Sequence, residues 1–242
     1  MTAQAGPRPE IQISGVTCRF GPRTALHDIS LSLSDRRIGV IGRNGSGKTT
    51  LSRLIAGLIA PDEGTVRVAG VDVCKDRRAA IRTVGILFQN PDHQIIFPTV
   101  EEELAFGLRQ LGQSKPAARD GARAMLARFG RDDWHDRPVD SLSQGQRHLV
   151  CLMAVLAMQP KVIVLDEPFS GLDIPTTRAL RRFLDGLEAT LIHVTHDPAA
   201  LTGYDRAIWL DRGALAGDGP ADKVLAEYLS AMQRADYADA DL

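Results

Sequence analysis

The sequence predicts an α/β fold with a parallel core sheet, an antiparallel β subdomain at the N-terminus and an inserted α-helical subdomain. Apolar and polar residues alternate between positions 11 and 34, as in half-buried antiparallel strands. The apolar run Val162–Leu165 is typical of a central parallel strand covered on both faces. Between these regions, from Val100 to about Met158, apolar residues recur at helical spacing, which predicts a helical insertion.

The first third of the chain is predicted to consist of short strands around one helix. The strands share an alternating or fully apolar pattern, and they are Ile11–Ser14, Val16–Phe20, Ile29–Ser34, Arg37–Ile41, Thr65–Ala69 and Val84–Phe88. The helix is expected over Thr49–Ile59, because apolar residues recur there at Leu51, Leu54, Ile55 and Leu58. Residues 1–9 are polar and contain prolines, so we expect a loose leader.

The rest of the chain continues this alternation of helices and strands. We expect breaks in the helical segment near Ser114–Pro116 and at Gly130–Pro138. The elements predicted after it form a βαβ unit, a closing hairpin and a terminal helix, and they are Val162–Asp166, Thr176–Glu188, Leu191–Thr195, Arg206–Leu210, Ala214–Gly217 and Pro220–Arg234. Residues 236–242 are predicted to be a short acidic tail.

Composition limits the functions that this chain can have. A net charge of −1 offers no bulk attraction to nucleic acid or anionic lipid. The three cysteines are far apart and lack metal-ligand spacing, as expected in a reducing compartment. Met1–Glu10 lacks the apolar segment of a signal peptide. No stretch approaches the about 18 apolar residues of a membrane span, so any work at a membrane is expected to depend on a partner.

The segment Gly42–Thr50 matches the P-loop pattern G-x-x-x-x-G-K-[ST], and a predicted strand and a predicted helix flank it as the pattern requires. Its backbone N–H groups would form a nest for phosphate oxygens at a helix N-terminus. Lys48 would reach the β- and γ-phosphates, and the Thr49 hydroxyl would ligate Mg²⁺. The predicted nucleotide-binding residues of this loop are Gly42, Arg43, Asn44, Gly45, Ser46, Gly47, Lys48, Thr49 and Thr50. The sequence therefore predicts binding of a nucleoside triphosphate.

Two acidic residues follow the apolar strand that ends the insertion. Asp166 and Glu167 are expected at the carboxyl edge of the sheet, where ligands of α/β proteins bind. Asp166 could hold Mg²⁺, and Glu167 could orient or deprotonate a water molecule. Taken alone, Asp-Glu-Pro after a strand is more often a turn or a helix cap. The P-loop upstream favours a hydrolytic role for the pair.

Further motifs lie in a fixed order around this pair. Leu142–Gln146 begins an amphipathic helix before the strand, Ser170–Asp173 follows the strand, and His196 ends the next one. Together with the P-loop and with Gln89 at the end of a strand, this order resembles the ATP-binding cassette ATPases over nearly the whole chain. The resemblance implies a RecA-like P-loop NTPase core at about 9–88 and 159–218, a helical subdomain at about 89–158, and a C-terminal helix and tail at 219–242 outside the 9–218 domain.

The resemblance also implies roles for individual residues. Phe20 lies where the family places an aromatic residue that stacks on adenine, and Gln89 lies at the position of the Q-loop residue near Mg²⁺. His196 is expected to contact the γ-phosphate, and with Lys48 and Glu167 it completes the expected catalytic set. In the family, the signature of one subunit faces ATP held by another subunit. This arrangement adds a further set of expected nucleotide contacts, which is Ser143, Gln144, Gly145, Gln146 and Asp173.

The signature departs from the family pattern at one position. Gln144 replaces the first glycine of Leu-Ser-Gly-Gly-Gln. A side chain there can be accommodated if it points outward, although backbone freedom is reduced. We expect a competent site with an altered rate or nucleotide affinity.

The segment Gln89–Gly107 resembles the Q-loop of energy-coupling factor transporters, which take up vitamins and transition-metal ions. We expect a docking surface for arginine-bearing membrane helices, with an apolar tip at 95–98 bordered by acidic Glu101–Glu103. The alternative is that the isoleucines pack inward and the glutamates begin a helix, where acids suit the helix dipole. Leu142–Val150 resembles the corresponding segment of biotin-uptake ATPases, so biotin is the leading solute.

These resemblances imply partners and leave alternatives open. The expected partners are a transmembrane coupling subunit, a membrane substrate-binding subunit and a second ATPase subunit, identical or paralogous, with no nucleic acid. The expected location is the cytoplasmic face of the cell membrane. Cobalt or nickel uptake is an alternative, as is a cassette ATPase of DNA repair or translation. The latter usually carries a coiled-coil insertion, a zinc module or basic tracts, and a P-loop kinase has no use for the signature.

Overall fold

Two sheets and a helical layer organise the chain, as seen in a computed structural model that describes residues 9–234. The strands are β1 Ile11–Phe20, β2 Arg23–Leu33, β3 Arg37–Ile41, β4 Glu63–Val68, β5 Val71–Asp72, β6 Val84–Leu87, β7 Val162–Asp166, β8 Thr190–Val194, β9 Arg206–Asp211 and β10 Ala214–Pro220. The helices are α1 Lys48–Ile55, α2 Arg77–Thr83, α3 Val100–Gln110, α4 Lys115–Arg128, α5 Gln144–Ala157, α6 Ile174–Asp185 and α7 Ala221–Arg234. The mixed α/β fold predicted from the sequence is confirmed.

The central sheet has the strand order β10-β9-β3-β8-β7-β6. Its pairs are parallel except for the β9–β10 hairpin at one edge. Successive residues of β7 belong to different cores: Val164 packs with the antiparallel sheet and α1, whereas Leu165 packs with the helical layer. Apolar groups therefore cover both faces of the strand, which explains its unbroken hydrophobic run.

The second sheet is antiparallel, with the order β2-β1-β4-β5. The prediction of separate strands before and after Gly15 was wrong, because β1 runs through from Ile11 to Phe20. Its register with β2 shifts between Ile13 and Val16, and Gly15 takes a φ of +56° there. A glycine at such an irregularity allows the strand to continue. In the sequence alone, the same glycine indicates the end of a strand.

Helix α1 is shorter than predicted. It ends at Ile55, and Leu58, expected on its buried face, is 43% exposed. Gly57 stops the helix with a φ of +68°, in the left-handed region typical of the residue after a helix. A Cβ at Gly57 would lie 2.3 Å from the carbonyl oxygen of Val73, so no other residue fits without a shift.

The helical layer is formed by α3, α4 and α5, and it is held by a buried carboxylate. Glu101, only 2% exposed, accepts hydrogen bonds from the Nε atoms of Arg119 and Arg123 at 2.5 and 2.6 Å. Burial alone would raise the pKa of Glu101, but the hydrogen bonds and charges of Arg123 and Arg119 outweigh it and lower the pKa. Glu101 therefore lies in the first turn of α3 and is paired internally, as in the alternative interpretation, although it also lines the cavity beside this helix.

Glu103 is also buried, and its carboxylate is satisfied by the loop before α3. It is 5% exposed, and its Oε2 accepts hydrogen bonds from the backbone N–H groups of Ile96 and Phe97, both at 2.9 Å. Glu103 thus fixes the loop before α3 to the helix itself. Glu102 alone of the three acids is exposed, and its carboxylate accepts a hydrogen bond from the Thr99 hydroxyl at 2.7 Å.

The predicted hairpin and terminal helix are both present near the C-terminal end of the described residues. Helix α7 packs on the edge of the central sheet, where Tyr228 lies against Ile41, the last residue of β3. Within residues 9–234, no helix combines the length and apolarity needed to cross a bilayer. The predicted leader at 1–9, apart from Pro9, and the acidic tail lie outside the described residues.

Glu101→Lys is expected to destabilise the fold by about 3 kcal/mol or more, because it buries a cation beside two arginines that lose their partner. Glu102→Lys is the matched control, and we expect it to cost about 1 kcal/mol or less, since it loses only a helix-dipole interaction and an exposed hydrogen bond. Urea unfolding of both variants measures the difference. Equal free energies of unfolding would contradict the role given to Glu101.

Candidate nucleotide-binding and hydrolysis site

A cavity of about 470 Å³ lies where the central sheet, the P-loop and the β1–β2 hairpin meet. Most of the residues that the sequence singled out surround it. Its lining residues are Phe20, Arg23, Ala25, Asn44, Gly45, Ser46, Gly47, Lys48, Thr49, Thr50, Gln89, Asp166, Glu167 and His196. Gly42 and Arg43, at the start of the loop, are linked to the cavity through the side chain of Lys48.

The P-loop has a backbone shape that requires glycine. Gly47, at the N-cap of α1, has a φ of +104°, and a Cβ there would lie 2.7 Å from the carbonyl oxygen of Ala25. Helix α1 begins at the next residue, so its unpaired backbone N–H groups face the cavity. This arrangement of donors at a helix N-terminus suits phosphate oxygens.

Lys48 lies inside the loop with its ammonium group bound to backbone carbonyls. Its Nζ donates hydrogen bonds to Gly42 O at 2.7 Å and to Arg43 O at 3.0 Å. Burial lowers the pKa of Lys48, while the carboxylates of Glu167 and Asp166 act in the opposite direction. The ammonium group is thus held at the base of the cavity, where a phosphate could exchange for the carbonyl partners.

Side-chain oxygens that could bind a metal ion come from three parts of the chain and lie beside Lys48. The Thr49 hydroxyl donates a hydrogen bond to Asp166 Oδ2 at 3.3 Å, and Gln89 lines the same cavity. Burial raises the pKa of Asp166, and the hydrogen bond from Thr49 partly offsets this effect. Hydroxyl, carboxylate and amide oxygens are ligands that Mg²⁺ accepts together with waters and phosphates, so the set fits the predicted magnesium site. Residues 9–234 contain no cluster of three or more His, Cys, Asp or Glu side chains with metal-binding geometry.

Glu167 is held by the end of β8. Its Oε1 accepts hydrogen bonds from the backbone N–H of His196 at 2.9 Å and lies 2.7 Å from His196 Nδ1. Its Oε2 accepts a hydrogen bond from the hydroxyl of Thr195 at 3.1 Å. Glu167 has a φ of +50°, an unusual conformation for a residue with a side chain. This turn carries the carboxylate to the cavity wall, where it could accept a proton from water.

The β1–β2 hairpin contributes Phe20, whose side chain is 52% exposed, and also Arg23 and Ala25. Sequence reasoning found Phe20 and missed the other two. Arg23 is the cross-strand partner of Phe20 across the turn at Gly21 and Pro22. The hairpin signal, with a strand on each side of Gly-Pro, could have identified this pairing, because opposite residues of an antiparallel pair point to the same face.

The signature residues do not line this cavity. Ser143 caps α5 in a capping box with Gln146, and the Gln144 side chain is exposed. Gly145 is the position that needs glycine, because a Cβ there would lie 2.8 Å from Gly171 O. Asp173 caps α6 by accepting a hydrogen bond from the Thr176 N–H, and the side chain and backbone of Thr176 together lower the Asp173 pKa. Within the described chain, the signature and Asp173 are therefore separate from the phosphate-binding loop.

The fold and the site define a nucleoside triphosphatase of the P-loop class, whose candidate hydrolytic groups lie at the carboxyl edge of a parallel sheet. The model of the ABC transporter family matches residues 26–170. Proteins named "Biotin transport ATP-binding protein BioM" are similar to most of the chain. The one from Rhodobacter capsulatus is 52% identical over 92% of this chain and 95% of its own. The one from Rhizobium etli is 40% identical over 90% of this chain and 97% of its own. The chain therefore belongs to the ABC transporter ATP-binding family, and it is an ATPase.

Solved structures agree with this assignment. The protein cbiO1 from Clostridium perfringens, described as part of the ABC transporter complex cbiONQ, has a TM-score of 0.74 at 26% identity and covers 92% of this chain and 93% of its own. The ATP-binding cassette MJ0796, solved as a dimer in a post-hydrolysis state with ADP and Pi, has a TM-score of 0.77 at 23% identity, covering 87% and 98%. Because MJ0796 is only 23% identical to this chain, its similarity supports the fold alone.

Glu167→Gln is expected to keep ATP binding and to slow steady-state hydrolysis by at least about 100-fold, because an amide cannot accept the proton of water. Glu188→Gln, at an exposed site after α6, is the control and should hydrolyse ATP normally. Turnover is measured by phosphate release, and binding by calorimetric titration. Near-normal hydrolysis by Glu167→Gln would remove Glu167 from the role of base.

Proposed function

We propose that this chain is the ATP-hydrolysing subunit of an importer of the energy-coupling factor type, that it works at the cytoplasmic face of the cell membrane, and that biotin is its solute. The observation that carries the proposal is the 52% identity to the Rhodobacter capsulatus relative named for biotin transport, over 92% of this chain. The motifs and the docking segment are consistent with it.

Two copies, or one copy and a paralogue, would close head to tail over two ATP molecules. The separation of the signature from the P-loop cavity of the same chain supports this arrangement. Lys48 of one subunit and Ser143 of the other would bind the same triphosphate, joined by Gly145 N–H and Asp173. Because ATP would bind more tightly to the closed pair than to the open one, its binding energy would drive closure.

Hydrolysis would then proceed within the closed site. Glu167 would accept a proton from the water that attacks the γ-phosphorus, and ADP would leave with the electrons of the broken P–O bond. His196 would contact the γ-phosphate, and Thr195 would keep the Glu167 carboxylate in position. Mg²⁺ held by Thr49, Asp166 and Gln89 would neutralise charge on the phosphate oxygens. Loss of the γ-phosphate would weaken the contact with Ser143 and reset the pair.

The surface proposed for the membrane partner is smaller than the sequence suggested. A cavity of about 450 Å³ lies beside α3, between Phe97 on the loop and Lys115 at the start of α4. Phe97 and Phe106 pack with ring centroids 5.1 Å apart, and Ile96 is 68% exposed beside them. Glu102 supplies the exposed carboxylate of this surface, since Glu101 and Glu103 are occupied internally. Because Arg109, Lys115 and Arg119 also line this cavity, Glu102 is the group that an arginine on an apolar partner helix would contact.

The solute is tested with the complex purified through a tag on this chain from its native membrane. We expect the complex to contain a small hydrophobic subunit with bound biotin, and vesicles that contain the complex to take up labelled biotin when ATP is supplied. Mass spectrometry identifies the subunits and the solute. Uptake of Co²⁺ or Ni²⁺ without biotin would replace the solute, whereas recovery without any membrane protein would contradict the transport role.

Glu102→Lys is expected to reduce recovery of the membrane subunits and solute uptake severalfold or more, because a lysine would face the arginine of the partner. ATP affinity of the isolated variant should stay unchanged. Glu227→Lys, at an exposed site on α7, is the charge-matched control. Normal recovery and uptake with Glu102→Lys would contradict the docking surface, and equal losses with Glu227→Lys would indicate a general charge effect instead.

A further inference from the structure

We infer that Arg23 is a nucleotide-binding residue, and that its guanidinium group binds the α-phosphate between the base at Phe20 and the terminal phosphates in the P-loop. The inference rests on the proposed function, because it assumes that the cavity takes ATP. It assigns a ligand contact to a hairpin residue that lies outside every motif of the sequence.

The register of the hairpin places Arg23 beside the proposed base site. Phe20 and Arg23 are direct partners in the antiparallel pair of β1 and β2, so their side chains leave the same face of the sheet. Both side chains line the nucleotide cavity, together with Ala25. A ligand that stacks on Phe20 therefore passes Arg23 on its way into the loop.

The guanidinium group reaches the rim of the P-loop. Its Nη2 donates a hydrogen bond to the carbonyl oxygen of Gly45 at 3.3 Å, and a Cβ built on Gly45 would lie 3.2 Å from the same atom. Guanidinium carries five N–H donors in a fixed fork. Within the described chain that hydrogen bond is the polar contact of the Arg23 side chain, so further donors face an exposed cavity.

The order of groups along the cavity indicates which phosphate Arg23 would meet. Asp166, Glu167 and His196 mark the end where the γ-phosphate is proposed to react. Lys48, at the base of the P-loop, is close enough to the carboxylates of Glu167 and Asp166 for their charges to act on it. Phe20 marks the opposite end. Because Arg23 is the cross-strand partner of Phe20 and reaches the P-loop at Gly45 O, the α-phosphate, which joins the nucleoside to the terminal phosphates, would pass closest to Arg23.

The charges of the cavity agree with this assignment. The lining carboxylates, Asp166 and Glu167, lie at the hydrolytic end, where Lys48 and a magnesium ion would balance them. At the hairpin end, Arg23 is the lining cation. A bidentate arginine–phosphate contact is shorter and stronger than a neutral hydrogen bond, so a phosphate oxygen is a better partner than the long contact with Gly45 O.

The test compares nucleotide affinities of Arg23→Gln and Arg23→Lys by calorimetric titration with ATP and with ADP. Because both nucleotides carry the α-phosphate, we expect Arg23→Gln to weaken both by about tenfold, the usual size for loss of a charged hydrogen bond. Arg23→Lys keeps the charge but loses the fork, so it should recover part of the affinity. Arg67→Gln, at an exposed position on β4 of the same sheet, should leave both affinities unchanged.

Thermal unfolding and the variant Lys48→Ala serve as controls for loop stability and for the P-loop assignment. Thermal unfolding without nucleotide should be the same for Arg23→Gln and the parent, because the side chain is exposed; a clear loss of stability would show that Arg23 braces the loop instead. Unchanged ADP affinity in Arg23→Gln would overturn the inference. Lys48→Ala reports on the proposed function itself: if it also binds ATP normally, the P-loop assignment fails, whereas loss of binding in Lys48→Ala alone refutes only the role of Arg23.

Discussion

The site depends on the parallel pairing of β3, β8 and β7, which brings the ends of three strands to one edge of the central sheet. Backbone hydrogen bonds extend this pairing just past the strands: the N–H of Thr195 donates to Val40 O at 3.1 Å, and the N–H of Glu167 donates to Val194 O at 2.9 Å. Strand β3 leads into the P-loop, β7 into Asp166 and Glu167, and β8 into Thr195 and His196. The residues proposed to carry out hydrolysis are thus positioned by main-chain geometry.

The signature is connected to this edge within the chain, although it lies outside the cavity. Gly145 approaches Gly171 O closely, which brings the start of α5 next to the segment that follows Glu167. His148, on the same helix, is only 1% exposed. Burial lowers the pKa of His148, and a hydrogen bond with the Pro168 backbone partly opposes this effect. A movement of α5 would therefore shift the backbone next to Glu167. In the proposed dimer, these contacts would link ATP bound by the neighbouring subunit to Glu167.

The sequence was sufficient for the elements whose pattern reflects local burial. The apolar run of β7, the P-loop and the hairpin of β9 and β10 could all be placed, because periodicity and turn residues act over a few positions. Glu101 could not be placed, since its burial depends on Arg119 and Arg123, which lie 18 and 22 positions away on another helix. The burial of Glu103 likewise depends on the path of the loop before α3, which satisfies its carboxylate with backbone donors. Arg23 was missed because a lone exposed arginine carries no motif until the hairpin register is known.

We propose that one chain holds only half of an ATP site and that Ser143 of a neighbouring ATPase subunit, tested here with a second copy, completes it. The most direct measurement is the sedimentation of Glu167→Gln with ATP, compared with the same variant that also carries Ser143→Arg. We expect an ATP-dependent dimer for the first protein, and for the second a monomer that still binds ATP. A dimer that forms equally well with Ser143→Arg, or loss of ATP binding by that monomer, would contradict the shared site.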